Sequence, residues 1–136
     1  MINKKGFTLI ELMVVVTVMG ILMAMAIPNF VSMKDRARES EVQSNAHTVQ
    51  LAVEDYSVQN NGIYSAAAAD ILPHLPGSAL LKNSFTGQYT EPRFGQAAQA
   101  PGEIGVQPVQ ENGITIGYTI TAFGKDGNVL TLVVGQ

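Results

Sequence analysis

Hydrophobic and polar positions fall into three regimes along the chain. From Phe7 to Ile27 the sequence FTLIELMVVVTVMGILMAMAI carries one charge, Glu11. As a helix this run would span about 30 Å, the thickness of a bilayer's hydrocarbon core. From Asn29 the pattern becomes amphipathic. Val42, Ala46, Val49, Val53 and Tyr56 recur at spacings of four, three, four and three, which places them on one helical face. Gln59-Asn60-Asn61-Gly62 is a C-terminal stop signal. The pattern predicts one long helix of about 54 residues, roughly 80 Å, with two weak positions. Pro28 removes a backbone donor and clashes with the preceding turn, so a kink or break is expected there. Gly20 costs up to about 1 kcal/mol relative to Ala in a helix interior.

The third regime, residues 62–136, is too short for a self-sufficient core, and the apolar face at 42–56 supplies the missing surface. SAAAAD at 65–70 reads as a short helical turn or loop. Leu72, Leu75, Leu80 and Leu81, interrupted by Pro73, Pro76 and Gly77, read as a loop with buried leucines. Residues 95–103 form a second loop. Three strands follow. Ile104–Val109 is demoted to an edge by Pro108. Ile114, Ile116, Tyr118 and Ile120 alternate with Thr115, Gly117, Thr119 and Thr121, as in a half-buried strand. Val129–Val134 closes the meander. Glu111-Asn112-Gly113 and Lys125-Asp126-Gly127-Asn128 are the turns between them. The expected fold class is α+β: a long N-terminal helix, membrane-spanning and then amphipathic, with a small C-terminal antiparallel β-meander on its second half.

Charge adds a topology. Lys4 and Lys5 flank the apolar run on its N-terminal side, so the positive-inside rule leaves the N-terminus cytoplasmic and the C-terminal part extracytoplasmic. Ala24-Met25-Ala26 also resembles a secretory cleavage site. The apolar run, however, exceeds the usual h-region of about 7–15 residues. The formal net charge of −3 gives no reason to expect nucleic-acid binding. The chain has no cysteine, which excludes disulfides, a thiol nucleophile and a Cys-based metal site.

Little else suggests chemistry. His47 sits on the helix and His74 in a Pro-rich loop, and nothing in the sequence places a serine or carboxylate beside either. Lys34, Arg36 and Arg38 mingle with Asp35, Glu39 and Glu41 as a solvated or subunit-contacting face. Asp126 and Asn128 resemble part of a calcium loop, but calcium wants six to eight oxygens, and an Asp-Gly turn explains the pattern without metal. No cofactor, metal or catalytic residue is expected.

That leaves Glu11. A carboxylate at the centre of a spanning helix costs about 2.5–3.5 kcal/mol, less near the interface, and is by default a functional-site hypothesis with a partner to be named. Gly6-Phe7-Thr8-Leu9-Ile10-Glu11, with its basic leader, following apolar helix and Pro28, resembles the cleavage and methylation signature of type IV pilins and type II secretion pseudopilins. LLKNSFTGQY at 80–89 is similar to the connector of small pilins, with Ser84 in place of a proline. YTITAFGKDG at 118–127 resembles their final hairpin.

The resemblance implies a leader at 1–6, a transmembrane and assembly helix at 7–27, an amphipathic helix at 28–61 and a β head at 62–136. A prepilin peptidase would cut after Gly6, and the freed amine of Phe7 would be methylated. The implied partners are further copies of the chain, joined through their N-terminal helices, an inner-membrane platform and an ATPase motor. Glu11 would neutralise the Phe7 ammonium of a neighbouring copy, a pair that selects register. Residues 20–28, between Gly20 and Pro28, could melt on filament formation. The subunit would wait in the inner membrane and end in an external pilus or, alternatively, a periplasmic pseudopilus. The reading from a different class is a secreted or singly anchored binding domain that does not polymerise.

Overall fold

The computed structural model describes residues 6–135. The chain divides into two units between Asp35 and Arg36. Helix α1 is assigned over Leu9–Gln59, 51 residues, with Pro28 inside it. Helical assignment continues across both Gly20 and Pro28. Residues 1–5 of the expected leader at 1–6 lie outside the described residues.

In the first unit α1 starts at Thr8, whose carbonyl accepts Leu12 N–H at 3.3 Å. No residue from Leu9 to Asp35 is buried, and the next six, in the second unit, are not buried either. The stretch is also long and apolar enough to cross a membrane, at a mean hydropathy of 2.5 in its best window.

In the second unit the amphipathic face is realised. Val42, Ala46, Val49, Ala52 and Val53 are buried and share one core cluster with Ile104, Val106, Tyr118, Ile120, Ala122 and Val134 of the sheet. Tyr56 packs at its margin. The helix ends where Gly62 N–H returns to Ser57 O at 2.8 Å. Asn61 takes the left-handed position at φ 57, which Asn tolerates better than most residues because its short polar side chain bonds locally.

After α1 come α2 (Ala68–Ile71) and two 3₁₀ turns, Leu72–His74 and Pro76–Ser78. Of the four leucines expected to be buried here, Leu75 is buried, Leu72 and Leu81 are half-buried and Leu80 is exposed. The proline-broken turns cannot aim all four side chains at one core.

Three short strands were not visible in the sequence. β1 (Leu81–Lys82) pairs antiparallel with β2 (Tyr89–Thr90), and β3 (Arg93–Phe94) pairs parallel with β4 (Ile104–Glu111). The main sheet, ordered β3-β4-β5-β6, is therefore an antiparallel meander with one parallel strand added, β5 being Ile114–Phe123 and β6 Asn128–Val134. Two-residue strands carry no periodicity to detect. Pro108 fits its expected place: β3 pairs only with Gly105 and Val106, so at Pro108 strand β4 is bonded to β5 alone. The β4–β5 turn has Asn112 at φ 52 and Gly113 at φ 81, both positive, as a two-residue hairpin of matching twist requires.

The alternation predicted for β5 holds only in part. Tyr118, Ile120 and Ala122 are buried, but Ile114 is 63% exposed while Thr115 is buried. A register shift between Val109 and Gln110 separates the hairpin tip from the rest of the β4–β5 ladder. Thr121, on the face expected to meet solvent, is buried under the 95–102 loop, where Ala98 N–H donates to Thr121 Oγ1 at 2.9 Å. The loop can lie this close because residue 105 is glycine: a Cβ there would stand 2.2 Å from Ala98 N.

Candidate assembly face and head contacts

The residues singled out by sequence lie at the start of α1. Gly6 and Phe7 precede the helix and are exposed, Phe7 at 79%. Glu11 lies in the first turn. Its carboxylate is not free in the single chain. Thr8 N–H donates to Glu11 Oε2 at 2.9 Å and the Thr8 hydroxyl donates to the same oxygen at 2.7 Å. Glu11 N–H in turn approaches Thr8 Oγ1 at 3.3 Å. Thr8-Leu9-Ile10-Glu11 is thus a capping box, in which two orphan donors at the helix start are satisfied reciprocally. Thr8 is the residue that sequence reasoning missed, although the T-x-x-E spacing before an apolar run is its signature. Around Gly20 nothing stands within 4 Å of where a Cβ would be.

The apolar side chains of this helix have no cover in the chain itself. Leu9, Ile10, Leu12, Met13 and Val16 are each at least 60% exposed, and so are Leu22 and Ile27 farther along. At about 25 cal/mol per Å² of apolar surface, such a helix stays in contact with water only until lipid or protein can cover it.

In the second unit the polar contacts serve the fold. His74 Nδ1 and Asp55 Oδ2 lie 2.6 Å apart, and Tyr56 meets the His74 ring edge-on at 5.6 Å. This pair joins residues 19 apart, which is why the sequence showed no carboxylate beside His74. Hydrogen bonds from His74 and Gln59 hold the Asp55 carboxyl below its usual range. His47 faces Gln50 at 3.1 Å on the exposed side of α1.

Glu103 Oε2 collects Arg93 Nη1 at 3.0 Å and the backbone N–H groups of Gln99 and Ala100 at 3.1 Å each. Burial raises its pKa, but these donors outweigh burial and leave the carboxyl below its usual range. Asn83 is buried in the connector, where its Oδ1 accepts Phe85 and Thr86 N–H and its Nδ2 donates to Pro101 O. Ser84, at the position where the pilin connector has proline, donates its hydroxyl to Arg38 O at 3.0 Å.

The Lys125–Asn128 turn is tied to α1: Lys125 N–H donates to Glu39 Oε1 at 3.3 Å, and Gln43 Nε2 donates to Val129 O at 3.3 Å. Gly124 N–H closes on Gly127 O at 2.7 Å. Among the described residues no three His, Cys, Asp or Glu side chains cluster as metal ligands would.

Comparison with known proteins agrees with the N-terminal motif. Residues 1–27 match the family model described as the prokaryotic N-terminal methylation motif. The type IV major fimbrial protein of Dichelobacter nodosus is 34% identical over 127 residues, 93% of this chain and 69% of that protein. The type IV narrow pilus major component of Thermus thermophilus is 46% identical over 61 residues, 45% of this chain and 53% of that one. The type II secretion system core protein G of Klebsiella michiganensis is 37% identical over 59 residues, 43% of this chain and 42% of that one. In the latter two the chain spans about half the relative's length or less. No solved structure matches the chain.

Proposed function

The chain belongs to the family of type IV pilins and type II secretion pseudopilins, whose members are structural subunits, and from that we propose that it is a subunit of a type IV pilus-like filament. The observation that carries this reading is the uncovered apolar surface of α1: from Leu9 to Glu41 the fold buries no side chain. A helix of that composition needs one cover before assembly and another after it. Lipid serves for the waiting subunit, and the helices of identical copies serve in the filament.

In this reading residues 1–6 are removed, Phe7 becomes the methylated N-terminus, 7–27 anchors and then assembles, and 28–61 carries the head of 62–136. A prepilin peptidase and methyltransferase, an inner-membrane platform and an ATPase motor act on the chain. The subunit crosses the inner membrane once with its head outside. Open filaments require heterologous contacts. Glu11 supplies one by passing its carboxylate from Thr8 to the Phe7 ammonium of an adjacent copy. Gly20 and Pro28 mark the stretch able to loosen on packing.

The pseudopilin reading stays second. The match to the Dichelobacter fimbrial protein covers 127 residues and runs through the head, whereas the matches to core protein G cover 59 to 80 residues. Mass spectrometry of the mature N-terminal peptide, with electron microscopy of sheared surface material, tests the proposal. Methyl-Phe7 and filaments containing this chain are expected. An unprocessed N-terminus, or a cut near Ile27, would instead mean a singly anchored or secreted domain.

A further inference from the structure

All six methionines lie within the first 33 residues, and the head has neither methionine nor cysteine. Met13, Met19, Met23, Met25 and Met33 are 54–72% exposed on the uncovered part of α1. Met19, Met23, Ala26, Phe30 and Met33 follow one another at spacings of four, three, four and three, so they share a helical face suited to packing on another helix. Oxidisable sulfur is therefore confined to the segment that must be covered on assembly. Depth then orders these positions. Taking Ile27 as the outer end of the spanning run, Met33 lies about 9 Å beyond it, and Met25, Met23, Met19 and Met13 lie about 3, 6, 12 and 21 Å inside.

We propose that Met33 and Met25 are an oxidation site that controls entry of the waiting subunit into the filament; this rests on the assembly reading above. The reagent is a two-electron oxidant of the hypochlorous acid type, arriving from the extracytoplasmic side. The thioether sulfur gives up two electrons and gains one oxygen, becoming a sulfoxide, while hypochlorous acid leaves as chloride and a proton. No thiol in the chain competes for the oxidant. The sulfoxide replaces a soft, apolar contact by a strong acceptor. Where copies pack through the apolar run, as at Met25, the neighbouring helices offer that acceptor no donor, and at Met33 the added oxygen polarises the face shared with Met19, Met23 and Phe30, so the modified chain is excluded from packing. The head, lacking sulfur, stays intact, and the change is reversible by sulfoxide reduction. In the filament the same positions are covered and protected.

The test treats the full chain with hypochlorous acid, in membrane vesicles and in sheared filaments, and locates sulfoxides by peptide mass spectrometry. In membranes, Met33 and Met25 should be oxidised at least about fivefold more than Met19 and Met13, and all sites about tenfold less in filaments. Filament yield from oxidised membranes should fall about tenfold against the same chain untreated, and sulfoxide reductase should restore it. A chain with Met25→Leu and Met33→Leu should lose less than about twofold against its own untreated yield. Equal oxidation at all five positions, undiminished yield from oxidised subunits, or an equal loss in the double variant would each overturn the proposal. Should the untreated parent form no filaments, the assembly reading fails by itself, while the ranking of sulfoxides still decides whether Met33 and Met25 are the oxidation site.

Discussion

Thr8 gives both its backbone N–H and its hydroxyl to a single oxygen of Glu11, at 2.9 and 2.7 Å. The acid that the membrane should reject is thus occupied by its own helix start before any second copy arrives. The structure gives Glu11 a capping role within the chain, the proposed filament gives it a second one, charge pairing between chains, and the two separate experimentally.

Glu11→Gln keeps an oxygen able to complete the capping box but removes the charge. If pairing drives assembly, the Gln chain should insert normally and yield few or no filaments when it is the only copy, as should Glu11→Val. Filament yield near the parent for Glu11→Gln would show that capping is the whole role. Thr8→Ala should lose about 0.5–2 kcal/mol of helix-start stability, the usual N-cap effect. Faster amide exchange confined to the first turn would register this.

Acid should loosen the head. The carboxyls of Glu103 and Asp55 titrate below their ordinary values of 4.5 and 3.8. The unfolded chain therefore takes up protons first as pH falls, and the stability these groups contribute, full above those values, is lost below them. The thermal midpoint of the full chain in detergent should decline from about pH 5 to pH 3. Glu103→Gln should lower the midpoint at neutral pH and flatten that decline. An unchanged slope would mean that the contacts with Arg93, Gln99 and Ala100 contribute little.

Alkali should act through Tyr118. Its side chain is fully buried and its hydroxyl has no hydrogen-bond partner among the described residues. Burial, together with charge repulsion from Tyr56, Asp70 and Tyr64, pushes its pKa up to about 12. The folded state thus keeps the neutral phenol while the unfolded chain ionises near pH 10. Stability is full below pH 10 and should fall by about 2 kcal/mol by pH 12. Tyr118→Phe removes a buried hydroxyl that has no partner, so stability at neutral pH should be unchanged or raised by up to about 1–2 kcal/mol. The alkaline loss should shrink with it. A clear destabilisation in urea titrations would show that the hydroxyl has a partner.

Gly105→Ala should cost the head about 2–4 kcal/mol, because its Cβ would stand 2.2 Å from Ala98 N and neither backbone can yield cheaply. Asn83→Ala should cost about 1–3 kcal/mol by leaving the Phe85 and Thr86 N–H groups without their acceptor. Urea unfolding of the full chain in detergent measures both. Proteolysis should meanwhile become faster within 95–102 for Gly105→Ala and within 83–88 for Asn83→Ala.

Sequence alone settled the features that repeat. An unbroken apolar run, the four-three spacing from Val42 to Tyr56 and the alternation of β5 from Tyr118 onward each extend over enough positions to reveal a pattern, and Asn112-Gly113 marks its turn by residue type alone. The α+β class and the membrane-competent helix follow from them. The Gly6–Glu11 motif carried the family for the same reason, since residue type, order and apolar context must all agree. What only the tertiary structure decided are relations between residues remote in the chain. These are Asp55 with His74, Ala98 over Thr121, Gly105 beneath the loop, and the two-residue strands β1, β2 and β3. None repeats, and each exists because chain closure brings together groups whose sequence neighbourhoods hold no trace of the partner.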